Sequence, residues 1–519
     1  MRPSLSALAV LMGLSAPALA QTLTLGVSAT PNSVDPHFNY GTSTQTLTYH
    51  LFDTLFTRLA DSTLGPGLAT SWRVLEPTVW EVKLREGVRF TNGMAFTADD
   101  VMFSIARAPN VPNATASYAG AVRAIARVEV INPLTIRIHT NGPAPTLPLD
   151  LAPLGIVSRQ VGEGAATEDY NAGRAAIGTG PYRLIRFIPG QQAELERNPD
   201  WWGARQEWEK VTIRFLPNPG TRTAALLAGD VDVIDLPSPN DLPRLRSDAR
   251  FTVSSRASMR LVYLAPNQQA EVAPFITDNA GNPLPANPLR DQRVRQALTI
   301  ALNREALASR VMQGTATPAG QWMPAGTYSH NPAVPVPAQD IEGARRLLAA
   351  AGYPDGFRMT LHVANNARPT DPVSAQAIAQ MWTRVGVRTE IEAQPLAAYS
   401  PRAARMEYAM TVWGWGSIGH AGHPLVNTVA TNDRARLTGG FNRSGYSNPA
   451  IDRMIAAAMG EMDDTRREAL LNQAVAAAVQ DVAVIPLYNL TNFWASRRGI
   501  RYEATTYDYT LAVNAQTVR

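Results

Sequence analysis

Cysteine is absent from the 519-residue chain. That excludes structural disulfides, thiol catalysis, cysteine-ligated zinc and iron–sulfur clusters, and it removes the residue on which a lipid anchor is built. Lysine is nearly absent too. Lys83 and Lys210 are the only two, so almost all of the 47 basic side chains are arginine. The arginines are scattered without a run or stripe, and nucleic acid is not expected as a partner. No segment reaches about 20 apolar residues free of charge and proline, so no membrane span is expected. There is no Gly-x-Ser-x-Gly elbow and no His-Glu-x-x-His zinc motif. The neighbouring carboxylates Asp99-Asp100 and Asp463-Asp464 diverge by about 100° on a helix and read as first-turn charges rather than a catalytic pair. The chain is therefore not expected to be an enzyme.

What is present begins with a leader. Arg2 precedes an apolar run from Leu5 to Leu14, and Ala18-Leu-Ala20 is a small-x-small cleavage site. Residues 1–20 read as a signal peptide, with the mature chain starting near Gln21. With no lipid-anchor cysteine, a soluble monomer in a Gram-negative periplasm is expected. The length exceeds one hydrophobic core, so two or three domains are predicted. Apolar residues at 45% and charged residues at 17% suffice for packed cores rather than long disorder.

Strands and helices alternate along the chain. Residues 22–28 and 80–84 alternate as strands. Thr97-Ala-Asp-Asp100 caps a helix running to Arg107, and the Asn132-Pro133 turn joins strands at 126–131 and 134–139. Further strands are predicted at 182–187, 193–197 and 211–215, with a helix at 219–228. After a Pro-, Asn- and Gly-rich loop at 273–290, helices dominate. Val294, Leu298, Ala301, Leu302 and Leu307 form one helical stripe. Helices follow at 344–351, 373–385 and 464–479, with strands at 359–363 and 483–487. The fold class is mixed α/β (α+β), in at least two lobes.

These residues carry a resemblance. Leu68-Ala-Thr-Ser-Trp72, Leu84-Arg-Glu-Gly-Val-Arg-Phe90, Phe96-Thr-Ala-Asp-Asp-Val101 and Gly178-Thr-Gly-Pro-Tyr182 occur in order. Asn198-Pro-Asp-Trp-Trp-Gly203, Asp291-x-Arg-Val-Arg-Gln-Ala-Leu298 and Ile485-Pro-Leu-Tyr488 follow. Together they resemble family 5 of the extracellular solute-binding proteins, the dipeptide, oligopeptide and nickel receptors of ABC importers. The resemblance implies a two-lobed periplasmic binding protein of type II, with an extra domain inserted in the first lobe. It implies lobe I at 21–60, 177–268 and 484–519, the inserted domain at 61–176, and lobe II at 269–483. The chain would cross between lobes near 265–272 and 482–488. The implied role is to capture a peptide-like or other small polar solute between the lobes and deliver it to an inner-membrane permease. An exported hydrolase, or a sensor or chaperone on the same fold, are the competing readings.

The resemblance also marks ligand candidates. Peptide-binding members hold the peptide amino terminus with an aspartate shortly after a Gly-Trp pair. Here Trp413-Gly-Trp-Gly-Ser-Ile-Gly-His420 has no carboxylate between Glu407 and Asp433. Ser417 or Ile418 stands where the acid is expected, which points to a ligand without a free ammonium group. Arg368, after Asn366, matches an arginine that takes the ligand carboxylate. The candidates are Tyr40, Asn267, Asn366, Arg368, Trp413, Trp415, Ser417 and His420. Gly414-x-Gly416-x-x-Gly419 lacks the context of a dinucleotide site, and its glycines are expected to let backbone approach the ligand. His420-x-x-His423 has no third ligand nearby and Pro424 breaks a helix there. No metal and no cofactor are expected.

Overall fold

The computed structural model describes residues 21–368 and 370–518. The leader at 1–20 lies outside the described residues. Among those described, twelve strands form one mixed sheet, with smaller sheets beside it. At one end of the large sheet lie Tyr182–Ile188, Gln192–Arg197, Lys210–Phe215, Thr22–Val27 and Val233–Asp235; at the other lie Met410–Gly416 and Phe357–Ala364. Two long strands, Phe251–Pro266 and Ile485–Arg497, run side by side between them.

Each end packs its own core. Leu25, Val211, Ile213 and Trp494 belong to one cluster, which also holds residues from near the end of the chain such as Ala515. Leu298, Leu361, Trp382 and Val412 belong to another. The long strands change core midway. Phe251 and Val253 pack with the first lobe, and Met259 and Leu261 with the second. The passage lies near 254–258 and 488–494, some ten residues ahead of the 265–272 crossing that the resemblance implied. We propose the lobe boundary there.

At the passage the ladder is broken. Ala257 pairs with Thr491 and Leu261 with Asn489, so Ser258, Met259 and Arg260 stand opposite Leu490 alone. Such a bulge bends a strand and re-aims its side chains. A second shift follows between Val262 and Tyr263.

The inserted domain is a four-stranded antiparallel sheet in the order Ala69–Glu76, Val79–Leu84, Thr135–Thr140, Ile125–Asn132. Helix Ala98–Arg107 covers one face, its Val101 and Ile105 packing on Trp80, Ile136 and Ile138. A capping box of Thr97 and Asp100 starts the helix, as the sequence predicts. The domain's core runs from Leu55 to Ile156, whereas Val157 and Tyr170 pack with the first lobe. The packing supports a narrower domain than 61–176 at its C-terminal side.

Most predicted elements occur within a few residues of the expected place. The stripe through Leu307 is interrupted. The helix stops at Ile300, and Asn303 caps a new turn through its side-chain contact with the Ala306 amide, 2.8 Å. The predicted strand at 483–487 is only the beginning of the thirteen residues Ile485–Arg497.

One buried ion pair fastens the inserted domain to the first lobe. Arg107, at the end of the helix, donates both Nη groups to Asp35 at 2.8 and 2.6 Å. Thr167 donates to the same carboxylate. Burial would push the Asp35 carboxyl up, but Arg107 outweighs it and holds the carboxyl below its ordinary value. Removing one partner of a buried pair strands the other charge. Arg107→Ala is expected to lower unfolding stability by about 3–5 kcal/mol, measured by urea denaturation. A loss under about 1 kcal/mol, the range of exposed pairs, sinks this assignment.

Candidate functional site

Between the lobes lies a cavity of 630 Å³, within the size range of small-molecule sites. The first lobe and inserted domain contribute Tyr40, Gln45, Arg58, Asp150 and the run Tyr507–Tyr509. The second lobe contributes the turn Gly414–Ile418, His423 and Phe441. The bulge supplies the floor, because Ser258, Met259 and Arg260 all line the cavity.

Its walls are aromatic. The Trp415 ring lies 4.8 Å from Phe441 and 5.4 Å from His423, and its indole N–H donates to His423 Nδ1 at 3.2 Å. Opposite, Tyr507 and Tyr509 stack at 4.0 Å. Such surfaces bury flat or apolar parts of a ligand.

The charges fall into three groups. Arg260 donates to Asp508 through Nε and Nη2, at 3.0 and 2.6 Å, and Ser258 donates to the same carboxylate. Burial pushes the Asp508 carboxyl up, yet Arg260 holds it below its usual value. Asp150 has only the Thr146 hydroxyl at 2.9 Å and the field of Arg123 to offset burial, and its carboxyl is pushed up to about 7. Arg58 is different: its Nη2 is buried without a hydrogen-bond partner.

Three of the eight sequence candidates line this cavity: Tyr40, Trp415 and Ser417. Ser417 Oγ donates to the His420 carbonyl at 2.8 Å, holding the turn. The other five serve elsewhere. Asn267 is 1% exposed, and its amide donates to the Met406 and Tyr408 carbonyls, fixing the chain after the long strand. Asn366 accepts from the Leu396 amide. Arg368 is turned to the buried Asp371, donating through Nε at 2.8 Å, and lies against the Gly414 backbone. Trp413 stacks on Tyr399 at 5.0 Å. His420 is 2% exposed, and burial pushes its imidazole down to about 3.

The sequence reading missed Arg58, Asp150, Arg260 and Asp508. Asp508 brings a carboxylate to the wall where none was expected, from ninety residues beyond Ser417, but Arg260 occupies it. Only the cluster of tyrosines at 502–509 could have drawn attention to that segment.

The lobes touch across the cavity. Arg123 of the inserted domain donates to the Leu437 carbonyl at 3.0 Å, and Gln313 donates to Asn240 at 2.8 Å. These contacts join the lobes beside a polar, aromatic-walled space.

Comparison with known proteins agrees with this geometry. Residues 63–436 match the family model described as bacterial extracellular solute-binding proteins, family 5. Heme-binding protein A of Haemophilus influenzae is 28% identical over 457 residues, covering 83% of this chain and 80% of that protein. The dipeptide-binding protein of Escherichia coli is 26% identical over 519 residues, covering 95% and 94%. Among solved structures, HbpA2 from Haemophilus parasuis superposes with a TM-score of 0.81 at 25% identity, covering 96% of this chain and 100% of that one. DppA from Helicobacter pylori, in complex with the peptide STSA, gives 0.78 at 23% identity, covering 96% and 98%.

Two predictions follow from the site. Arg123→Ala removes a solvent-exposed charged donor between the lobes, a contact of about 0.5–1 kcal/mol. The ligand-free variant is expected to populate a more open form, read as a larger radius of gyration in solution X-ray scattering; an unchanged radius counts against the latch. The second concerns acid. Burial pushes His37 and His50 down to about 4, and His420 and His423 down to about 3. In the unfolded chain each takes a proton near pH 6.5. The unfolded state therefore binds more protons below that pH, and stability falls as pH drops from 6.5 towards 4. The slope reaches about 1.4 kcal/mol per pH unit for each histidine. Denaturation at pH 7 and pH 5 checks this, and equal stabilities at the two values would refute it.

Proposed function

This chain belongs to family 5 of the bacterial extracellular solute-binding proteins, and on that premise we propose that it is a periplasmic receptor that hands its solute to an inner-membrane ABC permease. The named relatives are binding proteins for heme, dipeptides and glutathione rather than enzymes. One observation carries the reading: the 630 Å³ cavity draws its walls from both lobes, so closure and capture are one event. No described helix is long and apolar enough to cross a membrane. The protein acts as a monomer exported by its leader.

Tyr40, Trp415 and Ser417 are the proposed contacts carried over from the sequence, with Arg58, Asp150 and the Arg260–Asp508 pair added. The solute is a peptide-like or other small polar molecule that does not depend on a free ammonium group. Two features support this. Asp508 is already paired with Arg260, and burial pushes the Asp150 carboxyl up to about 7, so it is only partly ionised near neutral pH. A buried ammonium would lack a full counter-charge, at a cost of several kcal/mol.

Reconstitution with the cognate importer in proteoliposomes tests the role. Solute uptake is expected to require this protein and to fall about tenfold or more with Trp415→Ala, as for a buried aromatic anchor. Uptake that proceeds equally without the protein overturns the reading.

A further inference from the structure

Behind the cleft lies a second cavity, also of 630 Å³. Its walls come from the first lobe and the inserted domain, without the second lobe. It therefore does not depend on closure for its existence. Four residues line both cavities: Arg58, Pro153, Tyr507 and Tyr509. Arg58 is the charged side chain among them.

The rear space is walled by rings. Trp201 and Trp202 lie 5.4 Å apart, and both indole N–H groups donate to Asp53, at 3.2 and 2.7 Å. Those bonds occupy the one carboxylate on that wall, and the Arg85 guanidinium covers one face of Trp202 at 4.1 Å. Tyr49 meets Tyr509 edge-on at 5.0 Å. The remaining carboxylates of the rear space, Asp61 and Glu503, are exposed, so solvent screens them.

Arg58 is the group that calls for a partner. Its Nη2 is buried with no acceptor, whereas the neighbouring cations are engaged. Arg260 is tied to Asp508 and Arg123 to the Leu437 carbonyl. A guanidinium offers a planar fork that matches a carboxylate or phosphate. A buried donor without a protein acceptor calls for a partner such as a bound anion or water.

Resting on the receptor reading above, we propose that the solute is an elongated anion. Its carboxylate or phosphate sits on Arg58, which lines both cavities, and an aromatic or other flat apolar portion extends into the rear cavity against Trp202 and Tyr49. The front cavity, closed by Trp415 and the second lobe, encloses the other end.

Fluorescence titration with 8-anilinonaphthalene-1-sulfonate, and with the uncharged N-phenyl-1-naphthylamine as control, tests this on the full mature chain. The sulfonate dye is expected to bind the native protein. Arg58→Ala and Arg58→Gln are each expected to weaken it about tenfold, the loss of one charge-assisted contact, while Arg58→Lys retains most of the affinity. The neutral dye is expected to bind native protein and Arg58→Gln alike. Thr57→Trp places a ring in the rear cavity and is expected to weaken both dyes. Sulfonate binding that is absent, or unchanged in the folded Arg58→Gln variant, overturns the anion site. Dye binding untouched by Thr57→Trp overturns the rear extension. The dyes read the cavity and not transport, so failure of the importer assay and failure here are separate results.

Discussion

The two long strands Phe251–Pro266 and Ile485–Arg497 carry the chain from one lobe to the other and back. Everything the two halves do relative to each other is constrained by that ribbon. A continuous antiparallel ladder resists shear, because sliding one strand breaks every hydrogen bond at once. It yields where pairing is interrupted, and here pairing is interrupted between Ala257 and Leu261 and again after Val262. Three residues displaced by the first interruption are the ones that reach the cleft floor. The point of bending and the point of solute contact are therefore the same piece of backbone. A solute touching Ser258 or Arg260 acts directly on the joint.

Arginine does most of the internal tying in a chain with two lysines. Arg295 is 4% exposed and donates to the carbonyls of Leu289, Arg290, Asp481 and Val482. It pins the start of its own helix to the segment that leads into the second long strand. Arg222, 3% exposed, holds the Leu216, Pro217, Asp235 and Leu236 carbonyls in the same manner. A guanidinium has five donors in a rigid fork, so one side chain satisfies several carbonyls at a chain reversal. Lysine has no equivalent geometry. Arg58, Arg137, Arg304 and Arg443 each keep a buried nitrogen without a partner, and of these Arg58 lines the cleft.

The elements were legible in the sequence wherever a local rule acts alone. The cap at Thr97 to Asp100, the turn at Asn132-Pro133 between strands at 126–131 and 134–139, and the helix at 464–479 each predict their element. The strand Phe251–Pro266 was not legible. Its first half is partly exposed and polar, its second half is buried on both faces, and the bulge shifts the phase between them. No single period fits such a segment. The site was less legible still. Trp413 and Trp415, two residues apart on one strand, share a face and pack against one cluster; Trp413 meets Tyr399 and Trp415 lines the cleft. Arg368 was drawn from a match in order along the chain, but whether a guanidinium faces a ligand depends on its nearest carboxylate, and Asp371 lies three residues on. Arg58, Asp150 and Asp508 come from three distant segments that only the fold brings together.

The glycines at 414, 416 and 419 show how local sequence serves this long-range geometry. They were expected to let backbone approach a ligand. In the structure a Cβ at Gly414 would collide with the Arg368 guanidinium, and one at Gly416 would press on Arg260 at 3.4 Å. Two arginines can lie flat on this strand because it has no side chains there. Arg368 in turn neutralises the buried Asp371, and Arg260 neutralises Asp508. A Cβ on Gly419, whose φ of +127° other residues rarely adopt, would meet the Ser62 carbonyl of the opposite side at 3.3 Å. One stretch of six residues thus makes room for both paired cations, and brings bare backbone to the line where the lobes meet. With those charges settled internally, the electrostatic character of the cavity falls to the one arginine that is not.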